Sequence, residues 1–151
     1  MVDVITGGCL CGQARYTVRR TMRFQPYACH CTDCQTRSGS AFGLQLVVAT
    51  ADLEVEGNTI EGRHERAKGT IAKIFACSDC LTRLYTANDR RPDTVNLRAG
   101  TLDDSASLIP GFPIWISSKQ PWVMIPKDVP TFKTQPADPA DWQMLLNSVA
   151  V

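Results

Sequence analysis

Apolar residues recur at every second position along much of this chain. Successive side chains in a β-strand point to opposite faces, so alternation of this kind places the apolar ones on a single face. The alternating sets are Ala14, Tyr16 and Val18; Phe42, Leu44, Leu46 and Val48; Leu53 and Val55; and Val95, Leu97 and Ala99. Shorter apolar runs at 71–75, 114–116 and 122–125 add three more predicted strands. The pattern therefore predicts a mainly β fold of short strands and turns.

Two helices interrupt the β pattern. A short helix is predicted from about Thr32 to Ser38, and Gly39 suits the position just after its end. A C-terminal helix is predicted over 139–149, where Asp138 can cap the first turn. Its apolar residues, at helical spacing, are Trp142, Leu145, Leu146 and Val149. We expect this face to pack on the body of the domain; a dimer contact is the alternative.

Length and charge set the broad class of the protein. The chain has 151 residues and no internal repeat or linker, which predicts a single domain over residues 1–151. Its 16 basic and 15 acidic residues give a net charge of +1, so no nucleic acid or anionic membrane is expected as a partner. The first residues do not resemble a signal peptide, and no run approaches the roughly 20 apolar residues of a membrane span. We expect a cytoplasmic protein with reduced thiols.

All seven cysteines lie in close-spaced groups. The groups are Cys9 and Cys11; Cys29, Cys31 and Cys34; and Cys77 and Cys80. An odd number cannot be fully paired within one chain, and clustered cysteines in a reducing compartment indicate metal binding or catalysis. Seven divides into four and three, the ligand counts of one closed zinc site and one zinc site with an open position.

The first and third groups form one natural ligand set. Its members are Cys9, Cys11, Cys77 and Cys80. Four thiolates complete a tetrahedron around zinc and leave no room for a substrate, so this set is predicted to be structural. A shared metal also offsets the entropic cost of closing the long loop between the two groups. In the alternative interpretation, one pair binds no metal and is simply buried.

The middle group predicts a catalytic zinc site. Residues two apart on a strand point the same way, so Cys29 and Cys31 are expected to aim together. Cys34 would join them from the first turn of the short helix, whose N-terminus favours thiolates. Three protein ligands leave the fourth position of a zinc ion for water or a substrate thiol.

Two other features bear on this middle site. We expect His30 on the surface or just outside the ligand shell, and His64 on the surface; these are the only histidines. In the alternative, His64 completes the three-cysteine site and makes that zinc structural too. Backbone N–H groups near Gly39 and Ser40, with Arg37 beside them, form a candidate carboxylate site, although a helix end before a strand is the preferred interpretation.

Several segments follow one another in an order that characterises a known family. They are Gly8-Cys9-Leu10-Cys11-Gly12 with Arg15-Tyr16, Cys29-His30-Cys31-Thr32-Asp33-Cys34, Gly39-Ser40-Ala41-Phe42, Cys77-Ser78-Asp79-Cys80, Gly100-Thr101-Leu102-Asp103-Asp104 and the stretch 114–122. In these segments the chain resembles the glutathione-dependent formaldehyde-activating enzymes, whose domain the centromere protein V homologues share. One departure is Leu81, where the family usually has glycine in a left-handed turn; a leucine there costs roughly 1 kcal/mol.

The resemblance implies a fold and an activity. The fold is a small, zinc-bound arrangement of packed, twisted antiparallel sheets, shared with methionine sulfoxide reductase B-like proteins. Two zinc ions per chain are implied, divided as above, with the three-ligand site the weaker one. The implied activity is that of a carbon–sulfur lyase, which interconverts S-hydroxymethylglutathione with glutathione and formaldehyde. The expected partners are thus a small thiol and a small aldehyde.

Two other functions fit the same residues. One is a non-catalytic, zinc-stabilised protein-binding module with an exposed apolar patch. Trp115, Trp122 and Trp142 are candidates for that patch, although core packing is the expected use of these side chains. The other is a thiol redox protein that uses the middle cysteines without metal.

Overall fold

Strands make up most of the regular structure of this protein. The computed structural model describes residues 3–20, 25–66 and 69–147, and within them the chain forms ten strands and two α-helices. The strands are β1 (Asp3–Gly8), β2 (Arg15–Arg20), β3 (Tyr27–Cys29), β4 (Gly43–Ala49), β5 (Leu53–Glu56), β6 (Thr59–Glu65), β7 (Ile71–Cys77), β8 (Arg83–Asn88), β9 (Arg91–Arg98) and β10 (Phe112–Ile114). The helices are α1 (Thr32–Ser38) and α2 (Pro139–Asn147). The predicted mainly β fold is confirmed.

The chain divides into two compact units, and the first comprises residues 1–22 and 47–107. It contains a three-stranded antiparallel sheet in the order β1-β2-β5. It also contains the antiparallel series β9-β8-β7-β6. The alternating residues predicted to face inward are buried here: Tyr16, Val18, Val95, Leu97 and Ala99.

The second unit comprises residues 23–46 and 108–151. Its strands β3 and β4 are antiparallel, whereas β10 runs parallel to β3, which departs from the all-antiparallel arrangement that the resemblance implies. The core of this unit is aromatic. Trp142 of α2 packs edge-on against Tyr27 and Phe112, at ring distances of 5.1 and 6.0 Å. The C-terminal helix therefore contacts its own unit through Trp142, as predicted.

The first helix has the predicted limits, and α2 begins at Pro139 as predicted, whereas its predicted end at residue 149 lies outside the described residues. Gly39 adopts the left-handed conformation after α1, and its N–H donates to the Gln35 carbonyl. The Asp138 carboxylate accepts the Ala140 N–H at 2.8 Å and so caps α2. The side chains of Leu145 and Leu146, and all of Val149, lie outside the described part of the structure. Neither helix has the length and apolar character that a membrane span requires.

Some sequence predictions differ from the structure. Residues 122–125 are not a strand: the Val123 N–H donates to the Gln120 carbonyl in a turn, and prolines at positions 121 and 126 prevent regular pairing. The sequence pattern also missed β6, which lies last in its series and is almost wholly exposed. Edge strands commonly carry charged side chains, so their sequences lack the apolar alternation by which a strand is predicted. The single-domain expectation stays a prediction.

Close packing in the first unit depends on Gly7. A side chain there would place its Cβ 2.3 Å from the Tyr16 hydroxyl oxygen and 2.5 Å from the Thr101 carbonyl oxygen. The Tyr16 hydroxyl is itself fixed by a 2.8 Å hydrogen bond with the Thr101 hydroxyl. Backbone and ring therefore meet at van der Waals contact, which only glycine permits.

We expect Gly7→Ala to lower the free energy of unfolding by about 2 kcal/mol, in the range measured for overpacked sites. Gly100→Ala is the matched control, because a Cβ at Gly100 would meet no heavy atom within 4 Å. Urea denaturation of the zinc-loaded variants measures both effects. Equal stability of the two variants would contradict the packing described for Gly7.

Candidate metal centres

The first cysteine cluster lies at the turns of two β-hairpins. Cys9 and Cys11 lie in the turn between β1 and β2; Cys77 ends β7, and Cys80 lies in the turn before β8. All four sulfur atoms lie within 4.8 Å of one another. The Cys9 and Cys11 sulfurs are 3.5 Å apart, and those of Cys11 and Cys77 are 3.8 Å apart. Tetrahedral zinc with Zn–S bonds of about 2.3 Å separates its sulfurs by roughly 3.8 Å, so this donor set fits a shared zinc ion.

Backbone N–H groups in both turns point at the sulfurs. The Ala14 N–H donates to the Cys9 sulfur at 3.2 Å, and the Asp79 N–H donates to the Cys77 sulfur at 3.4 Å. The Leu10 N–H donates to the Thr82 hydroxyl at 3.1 Å and so joins the two hairpin turns. Donors of this kind stabilise negative charge on sulfur, as a thiolate ligand requires.

The thiols of the first cluster compete for ionisation. Burial opposes ionisation of Cys9, but hydrogen bonds from the Ala14 N–H and Cys11 lower its pKa overall. The Gln13 N–H favours the Cys11 thiolate, yet hydrogen bonds with Cys9 and Cys80 raise the pKa of Cys11 to about 12. The Thr82 hydroxyl lowers the pKa of Cys80 to about 5. Part of the set therefore stays protonated unless a cation displaces the remaining protons.

Leu81 occupies a strained position directly after Cys80. Its φ is 60°, in the left-handed region, and its N–H donates to the Cys77 carbonyl at 3.1 Å. The turn thus has the conformation for which the family uses glycine, although this chain has leucine there. The Leu81 side chain is 62% exposed, so packing does little to offset the strain.

The second cluster lies where β3 meets α1. Cys29 is the last residue of β3, Cys31 is the N-cap of α1, and Cys34 lies in its first turn. The three sulfurs lie within 4.8 Å of one another, as predicted. The Cys31 sulfur accepts the Cys34 N–H at 3.3 Å, and so acts as the helix cap. The strand end and the helix start together bring three thiols to one point.

A buried glutamine supports the second cluster. The Gln45 side chain is 8% exposed, and its Nε2 donates to the Cys34 sulfur at 3.5 Å. The Tyr27 hydroxyl donates to Gln45 Oε1 at 3.5 Å, which orients the amide. Sequence reasoning missed Gln45, because a polar residue inside an apolar strand gives no indication of the atom that it contacts.

The raised pKa of Cys29 indicates whether a cation fits this donor set. Hydrogen bonds with the Cys31 and Cys34 side chains, together with burial, raise the pKa of Cys29 far above its ordinary value. Three thiols so close together do not all ionise at neutral pH by themselves. A divalent ion among three sulfurs would remove this barrier, and soft thiolate ligands suit zinc. The residues present therefore fit a zinc ion.

Neither histidine belongs to the cysteine clusters of the described structure. His64 is exposed on β6, as predicted. His30 is not on the surface, because it is only 2% exposed and packs on Phe42 at a ring distance of 5.2 Å; the other half of its prediction, a place just outside the ligand shell, stays a prediction. Burial and the Lys119 charge lower the pKa of His30, which favours the neutral imidazole. Its Nδ1 has no hydrogen-bond partner among the described residues.

The candidate carboxylate site after α1 is not open to a ligand in this conformation. The Gly39 N–H donates to the Gln35 carbonyl, and the Ser40 N–H donates to the Ser38 hydroxyl at 3.2 Å. Both donors are thus used by the chain itself. The segment is a helix end before a strand, which was the preferred interpretation.

The chain matches a family model described as "Glutathione-dependent formaldehyde-activating enzyme" over residues 4–118. The chain belongs to the glutathione-dependent formaldehyde-activating enzyme family. Family membership supports a function related to glutathione and formaldehyde. No curated protein matches the sequence significantly.

A solved structure supports the fold. It is the crystal structure of a Rhodobacter sphaeroides protein that was a Northeast Structural Genomics target. Its TM-score to this chain is 0.54 at 18% sequence identity, and the match covers 70% of this chain and 97% of that one. At this level of identity the likeness concerns the fold alone.

Two family segments without cysteines meet in the first unit. Arg15 and Asp103 form a bidentate ion pair, and the Thr6 hydroxyl donates to the same carboxylate at 2.6 Å. Hydrogen bonds from Arg15 and Thr6 lower the pKa of Asp103 to about 2, so it is ionised at neutral pH. These contacts join β1 and β2 to the chain after β9, a structural role in this protein.

We expect Leu81→Gly to raise the free energy of unfolding by about 0.5–1 kcal/mol, because it relieves the left-handed strain at the cost of some chain entropy. The control is Leu10→Gly, since Leu10 is 92% exposed beside the same cluster but has an ordinary backbone φ. Urea denaturation at saturating zinc compares the two variants. A loss of stability in Leu81→Gly as large as in the control would show that no such strain exists.

Proposed function

We propose that this protein is a zinc-dependent carbon–sulfur lyase that acts on a thiol–aldehyde adduct such as S-hydroxymethylglutathione. The observation that carries the proposal is the convergence of Cys29, Cys31 and Cys34, without a fourth His, Cys, Asp or Glu in their group among the described residues. Three sulfur ligands leave one zinc position open to a substrate. Membership in the formaldehyde-activating family supports the choice of reaction.

The two clusters have different roles in this proposal. Cys9, Cys11, Cys77 and Cys80 would hold a structural zinc, because four sulfurs complete its coordination. Zinc held by the other cluster would supply a Lewis acid that lowers the pKa of a thiol and polarises an aldehyde oxygen. The chain itself keeps those sulfurs in place and donates hydrogen bonds to them, from the Cys34 N–H and from Gln45.

The proposed reaction breaks one carbon–sulfur bond without oxidation or reduction. In the lyase direction, the hydroxymethyl carbon separates from the carrier sulfur and becomes the aldehyde carbon. The hydroxyl oxygen becomes the aldehyde oxygen, and its proton ends on the carrier thiol. The carrier is glutathione or a similar thiol, and the aldehyde is formaldehyde or a similar small aldehyde. The cysteines must be reduced, which agrees with the expectation of a cytoplasmic protein.

A cysteine replacement in each cluster tests the assignment of roles. Cys31→Ser should lower the release of formaldehyde from S-hydroxymethylglutathione by about a hundredfold, since even outer partners of a metal site contribute 10- to 100-fold. The four-cysteine zinc and the fold should remain. Cys11→Ser is the matched control, and it should lower the stability of the protein more than its turnover per folded chain.

The rate is followed above the uncatalysed rate with a carbonyl trap, and zinc per chain is measured on the same samples. The proposal fails if Cys31→Ser loses one zinc per chain while it releases formaldehyde as fast as the wild type. Equal loss of turnover in Cys11→Ser, per folded chain, would contradict the division into a structural and a catalytic cluster.

Gln45 gives a second, independent prediction. Gln45→Met keeps the approximate volume of the side chain but removes the N–H that points at the Cys34 sulfur. We expect zinc at the three-cysteine cluster to bind about tenfold more weakly, in line with other losses of an outer hydrogen-bond partner. Competition with a chromophoric chelator should show two phases of zinc release. Only the more labile phase should change, so an effect on both phases or on neither would contradict the role of Gln45.

The alternative function is a non-catalytic, zinc-stabilised protein-binding module. One observation favours it: Leu10 and Leu81 are 92% and 62% exposed in the joined hairpin turns of the first unit. The tryptophans give it divided support. Trp122 is 70% exposed and could belong to an apolar patch, whereas Trp142 is 8% exposed and lies in the core. A wild-type protein whose zinc ions are indifferent to thiols and to hydroxymethyl adducts would favour this alternative over the lyase.

A further inference from the structure

Strand β6 forms an open edge of its sheet. It is the last strand of the series β9-β8-β7-β6, and among the described strands it pairs with β7 alone. This pairing runs unbroken from Thr59 to Glu65, and the residues from Ile60 to Glu65 are all exposed. The strand contains neither proline nor lysine, which many edge strands use to prevent further pairing. The edge of β6 therefore offers unpaired backbone groups to another strand.

Two hydrogen bonds at the ends of β6 show which of its backbone groups point outward. The Arg66 N–H donates to the Thr70 carbonyl at 2.8 Å, and the Ser78 N–H donates to the Asn58 carbonyl at 3.0 Å. In an antiparallel ladder, residues that bond the neighbouring strand alternate with residues whose N–H and C=O groups point away from it. The even-numbered residues of β6 therefore bond to β7. The outward-pointing residues are Thr59, Glu61, Arg63 and Glu65.

The outward-pointing residues carry charges in an order that suits a second copy of the same strand. Glu61 and Arg63 lie on one face of β6, and the Arg63 Nε donates to the Glu61 carboxylate at 2.8 Å. A second β6 that runs antiparallel, with Gly62 opposite Gly62, would place Glu61 opposite Arg63 of the other copy. By symmetry, Arg63 would lie opposite the other Glu61. Opposite charges directly across two strands stabilise their pairing.

Neighbouring registers satisfy fewer of these contacts. Two-fold pairing centred on Glu61 or on Arg63 would place two carboxylates or two guanidinium groups opposite each other, which destabilises a strand pair. Pairing centred between two residues would set outward-pointing groups against inward-pointing ones, so the ladder could not form. Registers shifted further leave more of the strand unpaired. Gly62 also suits the centre, because opposite residues there approach to about 4.5 Å between Cα atoms and glycine has no side chain to collide.

We propose that two copies of this protein associate through β6, paired antiparallel about Gly62. The partner is thus a second copy of the chain, selected by the outward backbone groups and by the Glu61–Arg63 pairs. Two seven-residue edges form a small contact beside the roughly 1,600 Å² of a standard interface, so the dimer should form only at micromolar or higher concentrations. The inference concerns assembly and does not depend on the proposed lyase activity.

Charge reversal tests the pairing. Arg63→Glu and Glu61→Arg each place like charges at both cross-strand positions, so each variant should self-associate at least about tenfold more weakly than the wild type. An equal mixture of the two variants should form a heterodimer about as readily as the wild type forms its homodimer, because every opposed pair is again complementary. Arg19→Glu reverses an exposed charge elsewhere in the same unit and is the matched control. Sedimentation velocity of the zinc-loaded proteins over a concentration series measures the association.

Amide hydrogen exchange locates the contact without a substitution. As the concentration of the wild type rises, the N–H groups of Thr59, Glu61, Arg63 and Glu65 should become protected, because they gain partners in the second copy. The N–H groups of Ile60, Gly62 and His64 already bond to β7 and should change less. Nuclear magnetic resonance resolves the residues, and this alternation is specific to pairing of strands at their edges.

Three results would overturn the proposal. One is a wild type that stays monomeric at millimolar concentration. Another is self-association that Arg63→Glu and Glu61→Arg leave as strong as in the wild type and in Arg19→Glu, since the contact would then lie elsewhere. The third is a mixture of the two reversed variants that stays monomeric, which would contradict the antiparallel register. Circular dichroism and zinc per chain check that each variant is folded.

Discussion

Crowding of thiols is the physical condition on which both cysteine clusters depend. Within each cluster the sulfurs lie within 4.8 Å of one another, a distance at which several thiolates repel strongly unless a cation lies among them. Backbone N–H groups of Ala14, Asp79 and Cys34 meet part of this demand by donating to sulfur. These hydrogen bonds do not stabilise every thiolate, because the pKa values of Cys11 and Cys29 stay raised. A zinc ion would neutralise the remaining negative charge of the thiolates. Metal binding would then release protons and also stabilise the fold.

The two clusters meet this condition with different local structures. Two hairpin turns supply four sulfurs, the number that completes a tetrahedral zinc site. A strand end and a helix start supply three, and the helix continues into Gln35, whose amide bonds the Ser118 carbonyl and the Gln120 side chain. Under the proposed function, the second arrangement would leave one zinc position open to a substrate. This difference in local structure and the ligand count together would, under the same proposal, separate a structural site from a reactive one.

Local patterns in the sequence predicted what is determined locally. Short-range spacing predicted which cysteines form each cluster. Residues at the helix ends predicted the limits of α1 and the cap of α2. The run at 122–125 was wrongly predicted as a strand, because flanking prolines outweigh apolar character. The link from Gln35 to Ser118 joins residues 83 positions apart, and no local pattern encodes it. The burial of His30 was missed for the same reason, since its neighbour Phe42 is brought to it by tertiary packing.

Zinc K-edge X-ray absorption during a glutathione titration tests the central claim most directly. The account predicts two zinc ions per chain with an average of about 3.5 sulfur ligands, because one ion has four and the other three. Added glutathione should raise the average to about four as its sulfur enters the open position. An average of four sulfurs before any thiol is added, or a spectrum that glutathione leaves unchanged, would contradict an open, thiol-accepting site.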